Sequence, residues 1–106
     1  METIKSRVEF ERVFRGGARL NHPVVRMSVM RSDEGSPSRV AFVAAKRLGN
    51  AVYRNRCKRV LRAAAQKAGF PLDGRQVILF STRKTHDATS DEVARALHAL
   101  AERIRS

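Results

Sequence analysis

The sequence predicts an α/β (α+β) two-layer sandwich, a small sheet covered by helices, and three observations lead there. Short runs rich in β-branched residues recur at Val24 to Arg31, Arg39 to Lys46 and Gln76 to Ser81. Capping patterns and apolar residues at helical spacing mark three helical segments around them. With 106 residues, 42% of them hydrophobic, the chain has material for one core, so residues 1–106 read as a single domain. The predicted order is α-β-β-α-β-α.

Ser6-Arg7-Val8-Glu9 is a capping-box pattern, followed by Phe10, Val13 and Phe14 on one stripe and by Gly16-Gly17 as a stop. A helix from about 6 to 15 follows. VVRMSVMR, after Pro23, reads as a strand, SDEGSPS as a loop and RVAFVAAK as a second strand, so a hairpin is expected. Both alternating sets of the second strand are apolar (Val40, Phe42, Ala44 and Ala41, Val43, Ala45), which predicts a central strand covered on both faces. Asn50 caps a helix from about 51 to 68, which Gly69 and Pro71 end, and QVILFS completes a strand, helix, strand unit. Thr89-Ser90-Asp91-Glu92 opens a last helix with Val93, Leu97, Leu100, Ala101 and Ile104 on one stripe.

Composition excludes several functions. The longest uncharged apolar run, Val40 to Ala45, is far short of the roughly 20 residues that cross a bilayer, and no signal-peptide pattern precedes it, so a cytoplasmic protein is expected. Cys57 is the only cysteine, which rules out an internal disulfide and a thiolate cage. His22, His86 and His98 have no carboxylate or cysteine at ligand spacing, so no metal site made by protein alone is expected.

The charge is the informative quantity. Twenty-two basic and ten acidic residues give +12 and a pI near 11.5, a field that costs stability unless a polyanion offsets it. Between Glu34 and Asp73 lie Arg39, Lys46, Arg47, Arg54, Arg56, Lys58, Arg59, Arg62 and Lys67 and no carboxylate. On the central helix, Cys57, Val60, Leu61, Ala64 and Ala68 share one face; Arg54, Asn55, Arg56, Lys58, Arg59 and Arg62 spread over the remainder. Like charges at i, i+4 each cost a few tenths of a kcal/mol, so an external anion is expected there. Arginine prevails over lysine, and its planar fork suits phosphate and bases. The opposite face lacks the bulky anchors of a membrane-lying helix, so nucleic acid is favoured over a membrane. If about five phosphates are neutralised, log affinity falls against log salt with a slope of roughly −3.5 to −4.5.

The stretch Lys46-Arg47-Leu48-Gly49-Asn50-Ala51-Val52-Tyr53-Arg54-Asn55-Arg56-Cys57-Lys58-Arg59 closely resembles the Arg-Asn-Arg signature of the bacterial ribonuclease P protein subunit. The similarity extends to Phe10-Glu11-Arg12-Val13-Phe14-Arg15-Gly16 and to the element order over nearly the whole chain. The resemblance implies a partner of a catalytic RNA that hydrolyses precursor tRNA to release its 5′ leader, with Mg²⁺ held mainly by the RNA. It implies catalytic-RNA contacts at Lys46, Arg47, Asn50, Arg54, Asn55, Arg56, Lys58, Arg59 and Arg62. It also implies leader contacts at Phe10 and Phe14, with Arg26 and Ser28 on the first strand where relatives often place an aromatic, and a left-handed strand, helix, strand crossover. Phe10 and Phe14 equally fit a packed helix face. A structural RNA-binding protein, such as a ribosomal one, suits the same charge and size. A self-sufficient nuclease would need a carboxylate or histidine cluster, which the sequence does not offer.

Overall fold

The computed structural model describes residues 1–105. Its elements are α1 (Arg7–Gly16), β1 (Ala18–His22), β2 (Val25–Arg31), β3 (Arg39–Val43), a single 3₁₀ turn (Lys46–Leu48), α2 (Ala51–Lys67), β4 (Arg75–Ser81) and α3 (Ser90–Arg105). The strands form one sheet in the order β1-β2-β4-β3, with β3 and β4 parallel and the other neighbours antiparallel.

The helix ends follow the sequence signals. The Ser6 hydroxyl accepts from the Glu9 N–H at 3.3 Å, the Asn50 side chain from Tyr53 at 2.9 Å, and Thr89 from Glu92 at 3.1 Å. Glu9 does not close its capping box. Both its carboxylate oxygens lie 2.9 Å from the Arg39 guanidinium, so α1 is pinned to β3 instead. Lys67 ties the end of α2 to the start of α3, reaching the Ser90 hydroxyl at 2.6 Å and the Asp91 carboxylate at 2.7 Å. Its ammonium holds the Asp91 carboxyl below the usual carboxylate range.

Alternation divides the sheet into two faces. Val25, Met27 and Val29 of β2, Val77 and Leu79 of β4 and Val40 of β3 face α2 and α3, meeting Leu61, Ala64, Ala65, Val93, Leu97 and Leu100 in the main core. This is the two-layer sandwich. The other face carries Arg19, Asn21, Arg26, Ser28, Ile78, Phe80, Ala41 and Val43. Among the described residues, α1 is the helix that packs there. Val13 is buried, and its carbonyl accepts from the buried Ser28 hydroxyl at 2.7 Å.

Three expectations are corrected. The element order gains a strand, since ARLNH, whose Arg, Asn and His lack β propensity, pairs with β2 as the true hairpin. The two runs expected as a hairpin are not neighbours, because β4 inserts between them and supplies β2 with antiparallel and β3 with parallel partners. β3 is accordingly an edge strand, not a central one. The segment before α1 lies along it, with Ile4 N–H donating to the Val40 carbonyl at 3.0 Å and Val40 N–H to that of Glu2 at 3.1 Å. That segment shields the open edge; of the doubly apolar pattern Val40 is fully buried in the core, while Ala41, Phe42 and Val43 are half-buried.

Candidate nucleic-acid interface

Because α1 covers only part of its face of the sheet, a cleft of about 790 Å³ remains, lined by Phe14 of α1, Arg19, Asn21 and His22 of β1, Arg26, Phe80, Val43 and Arg47 among others. Its wall is aromatic. Phe10 stacks on Phe14 with centroids 6.1 Å apart, and Phe14 meets the Phe80 ring edge-on at 5.8 Å. The Arg19 guanidinium lies 4.8 Å over the Phe14 ring and donates to the Phe14 carbonyl at 2.8 Å. Phe10 and Phe14 are half-buried, which reconciles the two sequence readings: each packs with one side and keeps another toward solvent.

Ser28 departs from the expected site. It is fully buried beneath α1 with its hydroxyl committed to Val13, so it fastens the helix to the sheet and lies outside the cleft. Arg26, two residues earlier on the same face, is exposed in the cleft beside Phe80.

The cleft continues into a second recess of about 240 Å³ that shares Arg26 and Arg47 and adds Arg83 and Lys84 from the loop after β4. That loop abuts α2. The Tyr53 and His86 rings stack 4.1 Å apart and 3° from parallel, and Arg56 Nε donates to the His86 carbonyl at 2.9 Å. A cationic surface therefore runs from Arg19 through Arg26, Arg47 and Arg83 to Arg56. On α2, Asn55, Arg56, Lys58, Arg59 and Arg62 are exposed, as are Lys46 and Arg47 on the 3₁₀ turn. Among the described residues, none of the arginines and lysines just named pairs with a carboxylate. The basic residues of the middle segment that do are Arg39 and Lys67.

The expected contacts are not equivalent. Asn50 spends its side-chain oxygen on the helix cap. Arg54 is half-buried, and its Nε is buried without a hydrogen-bond partner. Arg62 lies 5.3 Å over the Phe42 ring, which orients it at the β3 edge. Sequence reasoning missed Arg19, Asn21, Phe80, Arg83 and Lys84. Phe80 was legible by parity, as the residue out of phase with Val77 and Leu79, whereas Arg19 sat in the unrecognised strand.

Cys57 is fully buried on the inner face of α2. Burial pushes its thiol up, against the smaller downward pulls of the Ser81 hydroxyl and the Arg56 charge. The folded protein is therefore expected to resist alkylation at neutral pH until it opens, and a thiol-labelling time course with and without denaturant checks this. A thiol raised in the fold stabilises below the unfolded thiol value, about 8.5, and that stability is lost as pH rises through the folded one.

Among the described residues no three His, Cys, Asp or Glu side chains converge as metal ligands, and no helix is long and apolar enough to cross a membrane. The arrangement sets an aromatic cleft beside a row of exposed cations whose chemistry suits phosphate.

The family model for ribonuclease P matches residues 1–105. The chain is 35% identical over 101 residues to the ribonuclease P protein component of Mycolicibacterium gilvum, covering 92% of this chain and 82% of that one. It is 33% identical over 88 residues to that of Gluconacetobacter diazotrophicus, covering 81% and 76%. Among solved structures, the ribonuclease P proteins of Staphylococcus aureus and Thermotoga maritima each superpose with a TM-score of 0.78 at 22% identity. The first covers 96% of this chain and 94% of its own, the second 97% of both. The fold is thus shared with solved ribonuclease P proteins, and the family match over residues 1–105 together with these relatives shows that the chain belongs to the ribonuclease P protein family.

Proposed function

We infer that the chain acts as the protein subunit of ribonuclease P, the ribonucleoprotein that matures the 5′ ends of tRNA, and that its two surfaces divide the catalytic RNA and the substrate between them. The α2 face, with Arg54, Asn55, Arg56, Lys58, Arg59 and Arg62 and the adjoining Lys46, Arg47 and Asn50, takes the phosphates of the catalytic RNA. The cleft walled by Phe14 and Phe80, with Phe10 stacked on Phe14, takes the single-stranded 5′ leader of precursor tRNA, with bases against the rings and phosphates against Arg19 and Arg26. The carrying observation is the continuity of the two: Arg26 and Arg47 line both the aromatic cleft and the recess that leads to α2.

In this reading hydrolysis belongs to the RNA. Mg²⁺ would supply the metal chemistry from sites on that RNA. The chain's own part is to neutralise phosphates where two RNAs approach each other, and to hold the leader in register. The site of action is the cytoplasm.

Cleavage of a precursor tRNA by a bacterial ribonuclease P RNA at low magnesium tests this. Correct 5′ maturation is expected when RNA and protein are combined, and none from the protein alone. Tight RNA binding without any stimulation of cleavage would favour a structural RNA-binding role instead.

A further inference from the structure

We propose that the stacked pair Tyr53 and His86 is a positioning element that fixes Arg56 and joins the basic face of α2 to the Arg83–Lys84 loop as one rigid RNA-binding surface. This rests on the α2 face being the RNA-contacting one.

α2 and the loop after β4 are about 30 residues apart in sequence and are joined here by three contacts. The rings of Tyr53 and His86 lie 4.1 Å apart and 3° from parallel. Arg56 Nε donates to the His86 carbonyl at 2.9 Å, and the Tyr53 hydroxyl reaches the Arg83 carbonyl at 3.5 Å. The root of the Tyr53 ring abuts Gly49, where an added Cβ would lie 2.9 Å from its Cγ. His86 is steadied in turn by Asp87, whose carboxylate lies 2.8 Å from its Nδ1.

The energetic reason for such a clasp is that several unpaired cations repel one another. An arginine on an open helix face samples many rotamers, and ordering it on RNA costs side-chain entropy. Arg56 meets part of that cost in advance, because its Nε already bonds a carbonyl and its two terminal nitrogens remain for a phosphate. The loop that carries the carbonyl holds its place through the ring stack. The same stack sets the distance between Arg56 and Arg83, and hence the spacing of phosphates the surface accepts.

Binding to a bacterial ribonuclease P RNA across a salt series, at a temperature where all proteins are folded, tests the clasp. The proteins are wild type, His86→Ala, His86→Phe, Arg56→Ala and the His86→Ala/Arg56→Ala double variant. His86→Ala is expected to weaken binding about 3- to 10-fold, in line with the loss of an aromatic pair, with an unchanged salt slope because no phosphate contact is removed. His86→Phe, which keeps the stack, restores affinity. In the Arg56→Ala background His86→Ala costs less than about twofold, because the two act through one another. Unchanged affinity in His86→Ala, or additive losses in the double variant, overturns the proposal. A wild-type protein that fails to bind overturns the prior assignment of α2 as the RNA face, a result distinct from either.

Discussion

Replacing Arg56, Lys58 and Arg59 together by alanine is expected to lower affinity for ribonuclease P RNA by about 100-fold at 0.15 M salt. The magnitude follows from counterion release: each neutralised phosphate contributes a salt slope of roughly 0.7 to 0.9, or about 0.6 to 0.7 log units at that ionic strength. Three contacts amount to about two log units, and the slope should flatten by two to three. All three side chains are exposed, and among the described residues none is held by a carboxylate. Removing them relieves like-charge repulsion along α2, and alanine is a good helix former, so thermal stability should hold or rise while binding falls. That opposition is the discriminating readout. Affinity that drops only in step with stability, or a slope that does not change, would show that the face is merely solvated and that the RNA docks elsewhere.

The contrast between α2 and the sheet shows what a sequence displays and what it conceals. Helix ends were legible because their signals are local: Ser6, Asn50 and Thr89 all accept the backbone bonds that their spacing implies. The buried stripe of α2 was legible because Cys57, Leu61 and Ala64 recur at the helical period, and all are fully buried. Sheet order is not a local property. The loop from Ser32 to Ser38 reads as a hairpin turn, yet β2 and β3 both find their partner in β4, more than 30 residues beyond β3. The same limit applied to the cleft. Phe14 and Arg26 could be named from the resemblance, but Phe80 and Arg19 join them only because β4 and β1 bring them to the same face. Ser28 illustrates the converse. It occupies the strand position where relatives often place an aromatic and was expected to meet the leader, but here the α1 backbone descends onto it, and a hydroxyl is the group that fits.

That close descent yields the second large effect. Gly17→Ala is expected to destabilise the protein by about 2 kcal/mol, in the range of overpacked sites, and to lower Tm by roughly 10 to 15 °C for a domain of this size. The backbone conformation is not the cause, since φ −78 and ψ 156 suit any residue. The obstacle is space. An added Cβ would lie 2.6 Å from the Val13 carbonyl oxygen, 2.7 Å from the Ser28 hydroxyl and 2.9 Å from the Val29 carbonyl oxygen, two of them backbone atoms that cannot swing aside. The Val13 carbonyl is also the junction of helix and sheet, accepting from Gly17 N–H at 3.0 Å and from Ser28 at 2.7 Å. Relief of the clash therefore lifts the end of α1, and Phe14, the next residue after Val13, moves with it. The cleft should suffer while the α2 face does not. Measured below the lowered Tm, the variant is expected to bind ribonuclease P RNA as the wild type does, yet the holoenzyme should lose much of its preference for precursor over mature tRNA. A stable variant with that preference intact would refute both the packing at Gly17 and the placement of the leader against Phe14. Lost stability with the preference retained would leave the packing correct and move the leader to another surface.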